Sequence, residues 1–324
     1  MIETHLLILL AALALDWFFG EFDYLWRRTG HPVAWFGQAI GLLDRAMNRQ
    51  SDPEPVRYRN GAAAWAILVV LALGAGLAIV GVLSLLGPVG WLLEVLAVSV
   101  FLAQKSLKDH AAAVVSALRA EGIEGGRRAV AQIVGRDPTH LDRAGVCRAT
   151  IESVAENSSD GVVAPALWYA VFGLPGLLVY KMINTADSML GHRSETYLAF
   201  GRVSAQADDL ANWLPARLSA VLVAAGAWAM SGRDAAMAAL ATARHDAGLH
   251  RSPNAGWPEA AFAGALGIAL GGPRVYASET VPQAWINGAG RPATDAGDVE
   301  RALKLFGYSC LALWAGIFVL AILV

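Results

Sequence analysis

Two uncharged apolar blocks constrain what this chain can fold into. Ala62–Leu86 runs twenty-five residues without a charge, and Leu305–Val324 runs twenty. A helix needs about 20 mainly apolar residues to cross the ~30 Å hydrocarbon core of a bilayer. Lipid offers the backbone no hydrogen bonds, so such a block satisfies its own N–H and C=O groups by becoming a helix. Apolar residues are 56% of the 324 and charged residues 16%, against roughly 45–50% apolar in soluble domains. Apolar blocks are spread along the chain. The expected fold is therefore all-α: a polytopic integral membrane protein with long polar loops, forming one membrane-embedded helical domain over residues 1–324.

The expected spans are residues 5–19, 62–86, 89–103, 162–180, 214–230 and 305–324. Before Leu6–Phe19 there is no basic segment, and no small-residue cleavage site follows, so the first span reads as a retained helix. Asp16 near its end has to face protein or lie at the interface. Gly87-Pro88 is a tight turn signal and makes a helical hairpin of the next two spans, the second arm short and carrying Glu94. Both hairpin ends then share a side with Arg27, Arg28, Arg45, Arg49, Arg57 and Arg59, and with the basic residues between Lys105 and Arg148. The positive-inside rule makes that side cytoplasmic and the N-terminus external. Val162–Tyr180 is broken at Gly173-Leu174-Pro175-Gly176. It either crosses once or enters and returns; the second option keeps both polar flanks on the cytoplasmic side and is the expectation here. Helix breakers at membrane depth are tolerated where the backbone is buried or lines a cavity. No internal repeat is evident.

Several chemistries are excluded or disfavoured. A formal net charge of −2 gives no reason to expect nucleic acid as a partner. Cys147 and Cys310 form neither a disulfide framework nor a zinc site. His245 and His250 are five apart, a poor fit to one helix face. No Gly-x-x-x-x-Gly-Lys-Ser/Thr phosphate loop is present.

The densest polar segment is Arg148-Ala-Thr-Ile-Glu152-Ser-Val-Ala-Glu156-Asn157-Ser-Ser-Asp160-Gly161, which runs straight into apolar Val162–Phe172. Glu152 and Glu156 share a helix face and repel slightly unless a cation lies between them. Read alone, the segment is either a solvated helix end closed by an Asp160-Gly161 turn or a functional cluster at the mouth of an apolar segment. Other polar clusters surround His31, Lys105–His110, Gly135-Arg136-Asp137, Asn184–Arg193, Asp208-Asp209 with Asn212, and His250–Glu259. Carboxylates with amides and hydroxyls suit a hard cation such as magnesium. Lysines, arginines and glycine-containing turns suit phosphate groups.

These motifs give the chain a resemblance to the CobD/CbiB family, the adenosylcobinamide-phosphate synthases of cobalamin biosynthesis. HPVAWFG, KSLKDHA, IVGRDPTHLD, RATIESVAENSSDGVVAP, NTADSMLGHR, DDLANWLPARL and HRSPNAGWPEAAFAGALG carry it, from about residue 16 to the last span. Two departures are Gly20-Glu21-Phe22-Asp23, where the family tends to have Gly-Asp-Pro, and His192, where it often has an aromatic residue. The resemblance implies ATP-dependent amide ligation of adenosylcobyric acid with an aminoalcohol phosphate, aminopropanol phosphate or ethanolamine phosphate. It implies ATP and Mg2+ at the site, corrinoid substrates, membrane lipid around the spans, and other cobalamin-pathway enzymes as candidate partners. Within that frame Glu152, Glu156, Asp160 and Asp187 are the candidates for catalysis. Glu152, Glu156, Asp187, Asp208 and Asp209 are the candidates for metal, with Asn212 able to complete the shell. Asn157 and Asn184 would orient oxygens, Lys105, Arg136 and Arg148 would hold phosphates, and His31, Ser252 and Asn254 would line the substrate cleft. The acids from Glu152 to Asp160 are expected to share one polar site with Asp187 and Asp208-Asp209.

Three rival readings make different demands on the chain. A CDP-alcohol phosphotransferase needs Asp-x-x-Asp-Gly-x-x-Ala-Arg and two later aspartates, but Leu178 and Met182 stand at the later positions. A solute transporter conflicts with the long polar stretches and the lack of repeats. A non-catalytic scaffold of the corrinoid pathway would tolerate replacement of the acids.

Overall fold

The computed structural model describes residues 2–20, 30–135, 137–192, 194–276, 279–281 and 283–324. The architecture is all-α. In chain order the helices are α1 (Ile2–Phe19), α2 (Pro32–Met47), α3 (Glu54–Ser84), α4 (Pro88–Ser99), α5 (Gln104–Ala120), α6 (Gly122–Val130) and α7 (Arg143–Ser158). A π turn, Ser159–Val163, links α7 to α8 (Ala164–Leu190); then come α9 (Arg202–Ala211), α10 (Trp213–Ser231), α11 (Arg233–Asp246), α12 (Gly256–Leu266) and α13 (Ala296–Leu323). Two short antiparallel pairs lie between α12 and α13: β1 (Leu270–Gly271) with β4 (Trp285–Ile286), and β2 (Arg274–Tyr276) with β3 (Glu279–Val281). The polar segments between the apolar ones are themselves largely helical.

Among the described residues six helical stretches are long and apolar enough to cross a membrane: Ile2–Phe19, Glu54–Ser84, Pro88–Ala120, Arg143–Leu190, Trp213–Ser231 and Ala296–Leu323. Val70, Leu77 and Val82 on α3 and Leu320 and Leu323 on α13 are exposed. Lipid is the solvent that suits such surfaces, because soluble proteins rarely expose contiguous apolar patches of that extent.

The chain packs as two compact units, each drawn from separate parts of the sequence. The first comprises Met1–Leu102, Ala164–Asn212 and Leu320–Val324; the second comprises Ala103–Val163 and Trp213–Val319. In the first unit α3 packs along α8, with Ala64, Leu68 and Ala72 against Met182, Ala186, Leu190 and Phe200. Asp16 is buried rather than turned to lipid. Glu94 accepts a hydrogen bond from the Tyr169 hydroxyl at 2.8 Å, which gives the carboxylate of the short hairpin arm a partner inside the protein. In the second unit α10, α11 and α12 pack together, while α5 and α6 pack on α7. Asp142 caps α7, its carboxylate accepting from the Gly145 N–H at 2.6 Å.

α8 turns back on itself at Gly173, whose φ of 63° and ψ of −157° belong to a region only glycine occupies without strain. Trp168 on the first arm donates to the Ala211 carbonyl at 3.1 Å, and Tyr180 on the second arm donates to Asn212 Oδ1 at 3.0 Å. On a straight helix those two residues would lie about 18 Å apart. Here they reach neighbouring residues, and Ala164 and Tyr180 share one apolar cluster with Ala211. The reversal lies beside Gly76, where a Cβ would stand 2.5 Å from the Pro175 Cα. Gly76 is eight residues short of the end of α3, so the tip stops about 12 Å before that helix ends.

Gly173→Ala places a methyl group 2.9 Å from the His5 ring and forces a strained φ. The expected loss is about 1–3 kcal/mol, read as a lower melting temperature in detergent. An unchanged melting temperature would contradict this account of the turn.

Candidate functional site

In the second unit, three segments far apart in sequence meet at one cleft of about 400 Å³. Ser106 and His110 come from the first turns of α5, Gln132 to Gly135 from the turn after α6, and Ser153 and Asn157 from α7. The two residues on each helix are four apart, so each helix offers one face. The groups lining the cleft are held in place. Ser153 Oγ donates to the Ile133 carbonyl at 2.6 Å, and Asn157 Nδ2 donates to the Ser153 carbonyl at 2.9 Å and to its Oγ at 3.2 Å. His110 Nδ1 lies 2.7 Å from the Ser106 carbonyl. A carbonyl only accepts, so Nδ1 carries the hydrogen and Nε2 is the acceptor of the neutral ring.

The π turn follows directly on this face of α7. Its Gly161 carbonyl accepts from the Ala103 N–H at 3.0 Å, which ties the turn to the start of α5. π turns inside helices recur at functional sites. Lys105 is ion-paired with Asp109, one helical turn away. The Thr139 N–H and hydroxyl both donate to Asp137, at 2.9 and 2.8 Å, and hold its carboxyl below the usual carboxylate range. Arg136, in the same loop, lies outside the described residues.

The acids of α7 follow a different face from Ser153 and Asn157. Glu152 is buried and accepts from the Gly271 N–H at 2.8 Å, joining α7 to β1. Glu156 is exposed and Asp160 is partly buried in the π turn. Arg148 lies 5.1 Å from the Trp285 ring centroid, and its Nη1 donates to the Pro292 carbonyl at 3.4 Å. Elsewhere in this unit Ser252 Oγ accepts from the N–H groups of Asn254 and Ala255, both at 3.2 Å. Buried Asn254 accepts from Arg217 at 3.4 Å, and that guanidinium stacks 4.3 Å from the Trp213 ring and 4.8 Å from Trp257. His250 Nε2 lies 3.6 Å from Glu259 Oε1.

Asn184, Asp187, Asp208, Asp209 and His31 belong to the first unit. His31 caps α2, its Nδ1 accepting from the Val33 N–H at 3.2 Å. Asn184 Nδ2 donates to Asp208 Oδ1 at 3.2 Å. Burial pushes the Asp208 carboxyl above its ordinary range and the charge of Asp209 adds to the shift; hydrogen bonds from Asn184 and Asn212 and the charge of Lys181 oppose it. Asp187 folds over Gly191, where a Cβ would stand 1.9 Å from its Oδ1. Gly191 and Asp209 in turn line a cleft of about 490 Å³ together with Glu54, His192, Arg202 and Gln206. Among the described residues no group of three His, Cys, Asp or Glu side chains is arranged to hold a metal ion.

The sequence marks Lys105–His110 and the Glu152–Gly161 stretch as polar but assigns no role to Ser106, His110, Gln132 and Ser153 in one cleft or to Glu54, Arg202 and Gln206 in the other. The signal was available in the four-residue spacing of Ser106 with His110, of Ser153 with Asn157 and of Arg202 with Gln206.

A raised carboxyl pKa in the fold means that its contribution to stability is full below the unfolded value and is lost as pH rises through the folded one. Asp208→Asn removes that loss. The variant should melt no lower than the parent at pH 7–8 and vary less with pH, checked by thermal melts in detergent across pH. A markedly lower melting temperature at neutral pH would contradict it.

A family model described as "CobD/Cbib protein" matches residues 9–306. A protein described as "Cobalamin biosynthesis protein CobD" from Sinorhizobium fredii is 55% identical over 316 residues, covering 98% of this chain and 97% of its own length. Proteins of the same description are 51% identical over 322 residues in Brucella suis, covering 99% of this chain and 98% of that one, and 44% identical over 303 residues in Rhodobacter capsulatus, covering 92% of each. No solved structure matches the chain.

Proposed function

Because the chain belongs to the CobD/CbiB family of cobalamin biosynthesis proteins, we propose that it ligates adenosylcobyric acid to an aminoalcohol phosphate at the expense of ATP. The observation that carries this reading is the convergence of residues 106–110, 132–135 and 153–157 on one cleft. The carboxylate of a corrinoid acid is a poor acyl donor, because its oxygen is a poor leaving group. Attack of that oxygen on the γ-phosphorus of ATP releases ADP and leaves an acyl phosphate. Attack of the amine on the acyl carbon then forms the amide and releases phosphate, while a base takes the ammonium proton.

In this reading the second unit's cleft holds the nucleotide's phosphates. The Ser106 hydroxyl supplies a side-chain hydrogen bond, the His110 ring donates from Nε2 in its imidazolium form, and the glycine-containing turn at Gly135 brings backbone close to the oxygens. Lys105, Arg136 and Arg148 supply positive charge. Ser252 and Asn254 line the corrinoid's path. Glu156 and Asp187 are the proposed bases, with Glu152 and Asp160 kept as catalytic candidates.

Magnesium fits the donor set of the first unit. Asp208 is a carboxylate whose burial disfavours its charge, with the Asn184 amide bonded to it. Such ions take one or two carboxylates and complete their shell with water and substrate phosphates, so a three-residue protein site is not required. When bound, magnesium neutralises charge on phosphate oxygens. We further propose a bacterial cytoplasmic membrane location with the polar ends on the cytoplasmic side, supported by the arginine distribution and by the cytoplasmic supply of ATP.

The test is incubation of the purified protein with adenosylcobyric acid, magnesium-ATP and each candidate amine, with corrinoid products read by mass. A new amide dependent on all three components is expected. Glu156→Ala and Asp187→Ala should each lower turnover by about 10²-fold or more in protein that still inserts. Near-normal turnover in either variant would remove that residue from its role.

A further inference from the structure

The first unit's cleft carries charges of both signs in a fixed order. Arg202, Gln206 and Asp209 occupy one face of α9 and all three line the cleft. Asp209 stands seven positions after Arg202, a rise of about 10 Å along the helix. One wall therefore has a cation at one end, an anion at the other and a neutral amide between. His192 lines the same cleft and follows directly on Gly191, against which the Asp187 carboxylate is folded. Glu54, at the start of α3, completes the rim. Arg202 is steadied by the Tyr58 ring, 5.9 Å from its centroid. At about 490 Å³ the cleft is large enough for a small molecule.

We propose that this cleft binds a small zwitterion, with the ligand's anionic group at Arg202 and its ammonium group at Asp209. A purely anionic ligand would face Asp209 and Glu54, and a purely cationic one would face Arg202. A molecule carrying an amine and a phosphate at its two ends meets favourable charge at both. Gln206 can serve a hydroxyl or ester oxygen between them. Resting on the ligase reading above, the ligand is the acceptor amine, and Arg202 is the residue that distinguishes a phosphorylated aminoalcohol from the free one.

The experiment measures equilibrium binding of aminopropanol phosphate, aminopropanol and inorganic phosphate to the purified full-length protein in detergent, without ATP or corrinoid. The zwitterion should bind at least about tenfold more tightly than either half, the worth of one charge-assisted contact. Arg202→Ala should weaken aminopropanol phosphate by about tenfold or more and leave aminopropanol unchanged. Arg202→Lys should recover part of the loss, which separates recognition from misfolding. Asp209→Asn should weaken both amines. Equal binding of aminopropanol phosphate by the parent and Arg202→Ala would overturn the assignment. Amide formation is scored separately on the same preparations. If the parent forms amide while Arg202→Ala keeps the parent's KM for the amine, the cleft assignment fails and the ligase reading stands. If binding depends on Arg202 but no amide forms, the ligase reading fails and the cleft stands.

Discussion

The hydrogen bond from the Tyr169 hydroxyl to Glu94, 2.8 Å long, shows the constraint under which the rest of this fold is built. A polar or charged group on an apolar helix has to find its partner inside the protein, because lipid supplies none. The same rule turns Asp16 into the protein and sets Asn184 on Asp208. It also accounts for the broken helix α8. The backbone opened at Gly173 is packed against α3 at Gly76 and against His5 of α1, so a non-helical turn survives where irregular backbone facing lipid would not.

The helical class was legible because it depends on length and apolarity. Ala62–Leu86 and Leu305–Val324 could be little else. The breakers at Gly173 and Pro175 also marked a disturbance in the chain. The direction of the second arm is suggested by the polar flanks rather than by periodicity, and what holds it is contact with Ala211 and Asn212, more than thirty residues later. Sequence distance hid the clefts in the same way. Lys105 to His110 and Glu152 to Gly161 read as separate polar clusters, and only folding shows Ser106, His110, Ser153 and Asn157 on one surface. Carboxylates are the conspicuous signal in that stretch, whereas the cleft is lined by the neighbouring face of α7. The division into two units was not legible at all, because each is assembled from separate stretches of chain.

The two clefts differ in chemistry. The second unit's cleft offers hydroxyl, imidazole and amide groups beside a glycine-containing turn and, among the described residues, has no carboxylate on its lining, a setting that suits phosphate oxygens whose charge is met by a cation. The first unit's cleft has an arginine and two carboxylates on its walls, a set suited to a molecule with charge at both ends. An ATP-dependent ligase has to handle both kinds of ligand. Asp208 is half-buried, and the desolvation that raises its carboxyl pKa makes its charge costly for the fold, as is common for carboxylates that serve a reaction.

Activation of the corrinoid carboxylate by ATP is the central claim, and isotope transfer tests it most directly. Adenosylcobyric acid labelled with 18O in its free carboxylate is turned over with magnesium-ATP and the amine, and the released phosphate is analysed by mass. An acyl phosphate requires one labelled oxygen to appear in inorganic phosphate for each amide formed. Amide formation with unlabelled phosphate would contradict the account.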